Sequence, residues 1–232
     1  MTWEIGVAPA IAFFDLDRTV LSVNSLTGWV RREVRLGHLS KRRAAQGVLW
    51  IGAYRMGFSK MERLIRAAVA DLEGTEEAVL ASRTRAFYEA DLRHRVRPGV
   101  AAALAHHRAR GDALYLLTAS SSYLADAVVE ALGFDGALAN RFEVEEGRFT
   151  GRPVEPLCFG AGKGELARRL AAERGVALRD CAFYTDSYSD LPALELVGEP
   201  VAVNPDPRLH RVATRRGWKV EDWGDTIASP PS

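Results

Sequence analysis

Four short apolar runs, Ile11–Phe14, "ALYLL" before Thr118, "CAFYT" before Asp186 and "PVAV" before Asn204, each end in a polar residue and are separated by stretches with helical periodicity. Strands alternating with helices require crossover connections, and crossovers produce a parallel sheet with helices on both faces. The chain is therefore expected to be a doubly wound α/β protein. The elements between the strands are explicit. "VAAALAHHRAR" reads as a helix stopped by Gly111, "SYLADAVVEALGF" and "GKGELARRLAAERG" as helices, and "LPALELVG" as a short one. "RFEVEEGRFTG" reads as a hairpin turning at Glu146-Gly147. "PVAVN" is expected to be the last strand.

The alternation is interrupted once. Between the first strand and Pro98-Gly99 no strand is expected. "SLTGWVRREV", "SKMERLIRAAVADL" and "TEEAVLASRTRAFYEADL" read as helices. The second opens with Ser59 and Glu62 in capping-box spacing and presents Met61, Leu64, Ile65, Ala68, Val69 and Leu72 on one face; Thr75 suits the start of the third. Residues 1–22 and 96–232 are thus expected to form the α/β core, and residues 23–95 an inserted helical cap. Trp29, Trp50, Tyr54 and Phe58 are expected to pack the cap, and Trp218 and Trp223 to pack the C-terminal segment onto the core.

Composition limits the function classes. A net charge of +1 gives no global attraction to nucleic acid or to a membrane surface. No apolar run is long enough to span a bilayer and the N-terminus lacks signal-peptide character, so a cytoplasmic protein is expected. Cys158 and Cys181 are far apart and in no metal-ligand spacing, which suits reduced thiols. His106 and His107 are expected at the surface or boundary of their helix. Residues 31–66 carry ten Lys and Arg against Glu33 and Glu62. That segment is either a solvated basic face or one that steers an anionic substrate or meets anionic lipid.

In doubly wound sheets ligands bind at the carboxyl ends of the strands. Asp15 and Asp17, Thr118 and Asp186 all fall there. The chemistry that uses such a set is phosphoryl transfer to an aspartate. A carboxylate attacks phosphorus, Mg²⁺ offsets the repulsion between two anions, and hydroxyl and ammonium donors hold the phosphoryl oxygens. A second acid protonates the leaving alkoxide and later deprotonates water. Asp15 is the candidate nucleophile and Asp17 the acid/base. Thr118 and Lys163 are the phosphate donors, and Asp186 and Asp190 the further metal and support carboxylates.

"DLDRT", the Thr of "LLTAS", Lys163 in "GKGE" and "TDSYSD" together resemble the four motifs of the haloacid dehalogenase superfamily. The resemblance covers nearly the whole chain and is strongest to the phosphoserine-phosphatase-like members of subfamily IB. It implies that Asp15 is phosphorylated, that Asp17 also lends its backbone carbonyl to Mg²⁺, and that Asp186 ligates and Asp190 supports the metal. It also implies that the helical insert closes over the site. An acid at Asp17, which dehalogenases of the superfamily lack, points to phosphate rather than C–halogen substrates. Some positions depart from the pattern. Arg18 stands where Gly or Ser is frequent and adds charge near the phosphate or is solvated. Asn24 occupies the position of a Glu that reads the amino group of phosphoserine, and Ser189 replaces an Asn.

The reading is a Mg²⁺-dependent phosphomonoester hydrolase acting on a small phosphorylated metabolite, with no nucleic acid and no stable membrane partner. Arg18, Asn24 and Arg63 join Thr118 and Lys163 as candidate substrate contacts. The alternatives are a phosphotransferase of the same fold, a receiver-like phospho-accepting module, and a binding protein with a degenerate site. The size of the insert and the acid at Asp17 argue against a receiver.

Overall fold

The computed structural model describes residues 10–40 and 61–225. Its sheet is parallel throughout. The strands are β1 (Ile11–Phe14), β2 (Ala113–Ser121), β3 (Gly136–Asn140), β6 (Ala182–Thr185), β7 (Glu199–Val203) and β8 (Lys219–Glu221), in the order β3-β2-β1-β6-β7-β8. The remaining pair, β4 (Phe142–Glu145) and β5 (Arg148–Pro153), forms the expected hairpin. Its turn has positive φ at both Glu146 (51°) and Gly147 (74°), as a tight hairpin turn requires.

Alternation within β1 divides the core. Ala12 and Phe14 face one side, where they pack with α4 (Gly99–Arg110) and α5 (Ser122–Leu132). Ile11 and Phe13 face the other, against α6 (Ala161–Glu173), α7 (Leu191–Leu194) and α8 (Pro207–Arg216). A strand buried on both faces reads as a continuous apolar run, and this is why β1 was recognisable as "IAFF". Two strands were not anticipated. β3 is "GALAN", built of small residues with little strand preference, and it is held by register with Tyr115, Leu116 and Leu117 of β2. β8 follows the strand expected to be last and has only three residues, paired to β7 at the sheet edge.

The chain leaves the sheet after β1 and returns at α4. An isolated antiparallel bridge, Leu21 with Val96, joins the outgoing and returning strands of that excursion. Within it lie α1 (Ser25–Arg35), α2 (Met61–Ala70) and α3 (Glu77–Phe87). A π-turn (Tyr88–Leu92) and a 3₁₀ turn (Arg93–Arg95) follow α3. Trp29 packs edge-on to Phe87, as expected of a core aromatic. Ser59, Trp50, Tyr54 and Phe58 lie outside the described residues.

The hairpin docks on this helical segment through its backbone. Gly74 N–H donates to Phe149 O (2.9 Å), Phe149 N–H to Thr75 O (3.0 Å) and Glu77 N–H to Gly147 O (2.9 Å). The start of α3 is therefore held by a hairpin carbonyl rather than capped by Thr75; the N-cap position falls on Glu76, which makes no side-chain cap bond.

His107 is a correction. It is buried, with Nδ1 2.8 Å from Asp112 Oδ2 and Nε2 2.9 Å from the Tyr184 hydroxyl. The two polar partners, far from it in sequence or on the next turn, make a buried imidazole tolerable. Trp223 packs on Tyr184, and both cysteines are free and buried.

Candidate active site

β1, β2 and β6 are adjacent. The chain winds from β1 to β2 and β3 on one side, then crosses to β6, β7 and β8 on the other. The crevice between β1 and β6 is the switch point at which such sheets bind ligands. Asp15 opens it. Its N–H still belongs to the ladder, donating to Tyr184 O (2.9 Å), while its side chain has reached the strand end. Leu16 is fully buried, so the backbone returns Asp17 to the crevice side. Arg18 then takes φ of 63°, a left-handed conformation uncommon for a side chain of this size. The turn is held: Arg18 N–H donates to Val23 O (3.1 Å), and the buried Arg97 guanidinium donates through Nε to Arg18 O (3.1 Å).

Lys163, in the first turn of α6, is buried and bridges two carboxylates. Its Nζ lies 2.7 Å from Asp15 Oδ1 and 2.7 Å from Asp190 Oδ2. The same Asp190 oxygen accepts from Thr185 Oγ1 (2.7 Å). Asp190 stands at the N-cap of α7, but its side chain makes no cap bond and is turned to Lys163 and Thr185. Thr19 Oγ1 accepts the N–H of Asp186 (2.9 Å) and has a long contact of 3.5 Å to Asp15 Oδ2. Thr118 is buried, and its hydroxyl oxygen accepts from Ser120 N–H (3.1 Å), leaving the hydroxyl proton to donate. Asn140 braces this end of β2, donating to Ala119 O (2.6 Å) while accepting from Cys158 N–H (2.8 Å).

The electrostatics show a shortage of positive charge. Burial pushes the Asp15 carboxyl up to about 7, against the pull of Lys163 and with the push of Asp190. Burial likewise raises Asp186 to about 8, with Asp15 and Asp190 adding to it. Asp17 is raised by burial and lowered in part by its bonds to Ser25. For Lys163, burial pulls downward, but Asp15 and Asp190 outweigh it and the ammonium is held. Among the described residues no three acidic, His or Cys side chains are gathered closely enough to hold a metal by themselves, but the groups at this crevice are oxygen donors with excess negative charge. This fits a hard divalent cation that uses one or two carboxylates, substrate oxygens and water.

The sequence-predicted residues divide. Asp15, Asp17, Asp186 and Asp190 follow the ends of β1 and β6, Lys163 lies in the first turn of α6, and Thr118 lies within β2, which runs on to Ser121 rather than ending before it, two residues past its last pairing with β1. Arg18 is exposed. Asn24 does not present a free amide to the crevice. Its Oδ1 accepts from Thr27 N–H (3.0 Å) and Thr27 Oγ1 (2.9 Å), capping α1, and its Nδ2 donates to Asp17 Oδ2 (3.2 Å). Arg63 is exposed on α2 and, among the described residues, makes no ion pair; Arg66 pairs with Glu155 (2.5 Å). Arg32 and Arg35 both reach Asp91, so part of the basic segment is neutralised. Lys41, Arg42, Arg43, Arg55 and Lys60 lie outside the described residues.

Sequence reasoning assigned no role to Thr19, Ser25, Ser120, Asn140 or Thr185. Thr19 lies inside "DLDRT" and could have been found there. Ser25 and Ser120 meet through their hydroxyls (3.1 Å) across 95 positions, which no local signal announces.

A family model described as haloacid dehalogenase-like hydrolase matches residues 12–195. The chain is 34% identical to a phosphoserine phosphatase of Mycobacterium tuberculosis over 219 residues, covering 92% of this chain and 71% of that one. It is 28% identical to a histidinol-phosphatase of Neisseria meningitidis, covering 90% and 97%. A solved structure of a Bordetella pertussis protein of unknown function superposes with a TM-score of 0.85 at 30% identity, covering 94% of this chain and all of that one. The chain belongs to the haloacid dehalogenase-like hydrolase family, and it is a phosphatase of that family. Among the described residues no helix is long and apolar enough to cross a membrane.

Proposed function

We propose that the protein hydrolyses a small phosphorylated alcohol in a Mg²⁺-dependent reaction through an aspartyl-phosphate on Asp15. The observation that carries this reading is the contrast between two carboxylates of one loop. Asp15 is paired with Lys163 (2.7 Å), whereas Asp17 accepts from the start of α1, from Ser25 N–H (2.8 Å) and Asn24 Nδ2 (3.2 Å). Groups of one type in different environments take different roles.

Asp15 Oδ attacks phosphorus and a bond forms between them. The phosphorus–ester oxygen bond breaks, and its electron pair leaves on the ester oxygen. Asp17, protonated at that moment, gives its proton to that oxygen. Asp17, now a carboxylate, then takes a proton from water as the water attacks phosphorus, and the bond to Asp15 breaks. Lys163 and the Thr118 hydroxyl hold the charge that develops on the phosphoryl oxygens. Asp15, Asp186 and the backbone carbonyl of Asp17 would hold Mg²⁺. The bound ion supplies charge neutralisation between nucleophile and phosphate. Asp190 keeps Lys163 in place, with Thr185 behind it. Residues 23–95 act as the cap over this crevice.

The related enzymes named for phosphoserine and histidinol phosphate set the first substrates to try. The Asn24 amide is neutral and its oxygen already accepts from Thr27, so it offers no charge to an ammonium and favours a body other than phosphoserine. The test is inorganic phosphate release from a panel of phosphomonoesters that includes both. We expect release that needs Mg²⁺, stops with EDTA and is absent from Asp15→Asn. Release that survives in Asp15→Asn would exclude the aspartyl-phosphate.

A further inference from the structure

Asp17 is held by the first residues of the cap rather than by the core. Ser25 N–H, the first amide of α1, donates to Asp17 Oδ1 (2.8 Å), and Asn24 Nδ2 donates to Asp17 Oδ2 (3.2 Å). The orientation of the Asn24 amide follows from its other bond. Thr27 N–H can only donate, so Oδ1 must face Thr27 and Nδ2 must face Asp17. Ser25 is buried, and its hydroxyl meets Ser120, two residues beyond Thr118. The helix start, the carboxylate and the end of β2 thus form one connected set of hydrogen bonds.

We propose, building on the phosphatase reading above, that Asn24 is a positioning residue for the acid/base. It fixes the Asp17 carboxyl in line with the ester oxygen and makes leaving-group protonation depend on a seated α1. Its two functions are separable. The N-cap function needs only an oxygen that accepts from Thr27 N–H, which Ser or Asp supplies as well as Asn. The positioning function needs a donor that reaches Asp17, which Ser is too short to provide and Asp lacks.

The choice of ester reads the second function. For kcat/KM the steps up to cleavage of the ester bond count, and hydrolysis of the phosphoenzyme does not. An alkyl phosphate needs a proton on its leaving oxygen during that cleavage. p-Nitrophenyl phosphate needs it far less, because its phenolate is stable unprotonated. General acid catalysis is worth roughly 10²–10⁴-fold, so a displaced acid should cost an alkyl ester about tenfold or more beyond the aryl ester.

The experiment measures kcat/KM for the best alkyl phosphate of the panel and for p-nitrophenyl phosphate, with melting temperature, in wild type, Asn24→Ser and Asn24→Ala. We expect Asn24→Ser to melt with wild type and to lose the alkyl ester at least about tenfold more than the aryl ester. Asn24→Ala should show the same split with a lower melting temperature. Equal losses on both esters, or a wild-type Asn24→Ser beside an impaired Asn24→Ala, would reduce Asn24 to a helix cap and overturn the proposal. If Asn24→Ser does not fold, Asn24→Asp, which also caps, answers the same question. A wild type inert on both esters would instead remove the phosphatase reading, and this proposal with it.

Discussion

Lys163 is the residue on which the charge of the site balances. It is buried, it contacts Asp15 and Asp190 at 2.7 Å each, and no other buried cation stands beside them among the described residues. Breaking a buried pair by removing one partner leaves uncompensated charge and costs about 3–5 kcal/mol. Lys163→Met should therefore lower stability by about that amount in urea denaturation without added metal, and lower kcat by about 10²-fold or more. A variant of unchanged stability would show that Asp15 and Asp190 are already neutral. Legibility at this scale was uneven. Asp15, Asp17, Asp186 and Lys163 could be read because they sit at the ends of recognisable elements. The true partners of Asn24 and Asp190 could not, because each side chain had two plausible destinations and only the packed loop selects one.

The hairpin β4–β5 does at the scale of elements what Lys163 does at the scale of residues. It belongs to neither face of the main sheet, yet its backbone holds Gly74, Thr75 and Glu77 at the start of α3. Its anchor is Phe149, buried at 2% exposure and packed edge-on to Tyr123 of α5 at 5.9 Å. Phe→Ala at such a site costs about 3–5 kcal/mol. Phe149→Ala should do so in urea denaturation, with faster amide exchange at Gly74 and Glu77 as the hairpin loosens. A cost below about 1 kcal/mol would mean that the backbone bonds hold the hairpin without its side chain. The turn itself was visible in Glu146-Gly147. What the hairpin packs on was not, since backbone–backbone pairing leaves no mark on the sequence of either partner.

Over the whole molecule, the sheet joins two chemically distinct ends. The carboxyl ends of the strands hold the groups proposed to react. Away from them, His107 lies between Asp112 and Tyr184, with His106, Arg110 and Glu199 nearby. Burial lowers the His107 pKa, and Asp112 opposes this only in part. The folded state therefore prefers the neutral ring, and the unfolded chain binds the extra proton first as pH falls. Stability from His107 is fully present above the unfolded value of 6.5 and is lost as pH falls from there through the lower folded value. In urea denaturation, the stability difference between wild type and His107→Gln should hold steady above that value and move against wild type below it. A difference independent of pH would mean that the ring titrates in the fold as it does in the unfolded chain, and one that moves against wild type as pH rises would mean that it is held charged there.

By itself the sequence determined the class of fold and named the candidate residues proposed above as reactive. Periodicity records which faces are buried, and strands buried on both faces are hard to mistake. Asp15, Asp17 and Asp186 stand out from that pattern because they follow the apolar runs. Tertiary structure decided everything that depends on who meets whom. β3 is a strand because β2 is beside it, His107 is buried because Asp112 and Tyr184 receive it, and Asn24 bonds to Asp17 because α1 begins where the loop after β1 ends. Local propensity is a property of neighbours in the chain. Hydrogen-bond partnership and burial are properties of neighbours in space, and these exist only once the chain has folded.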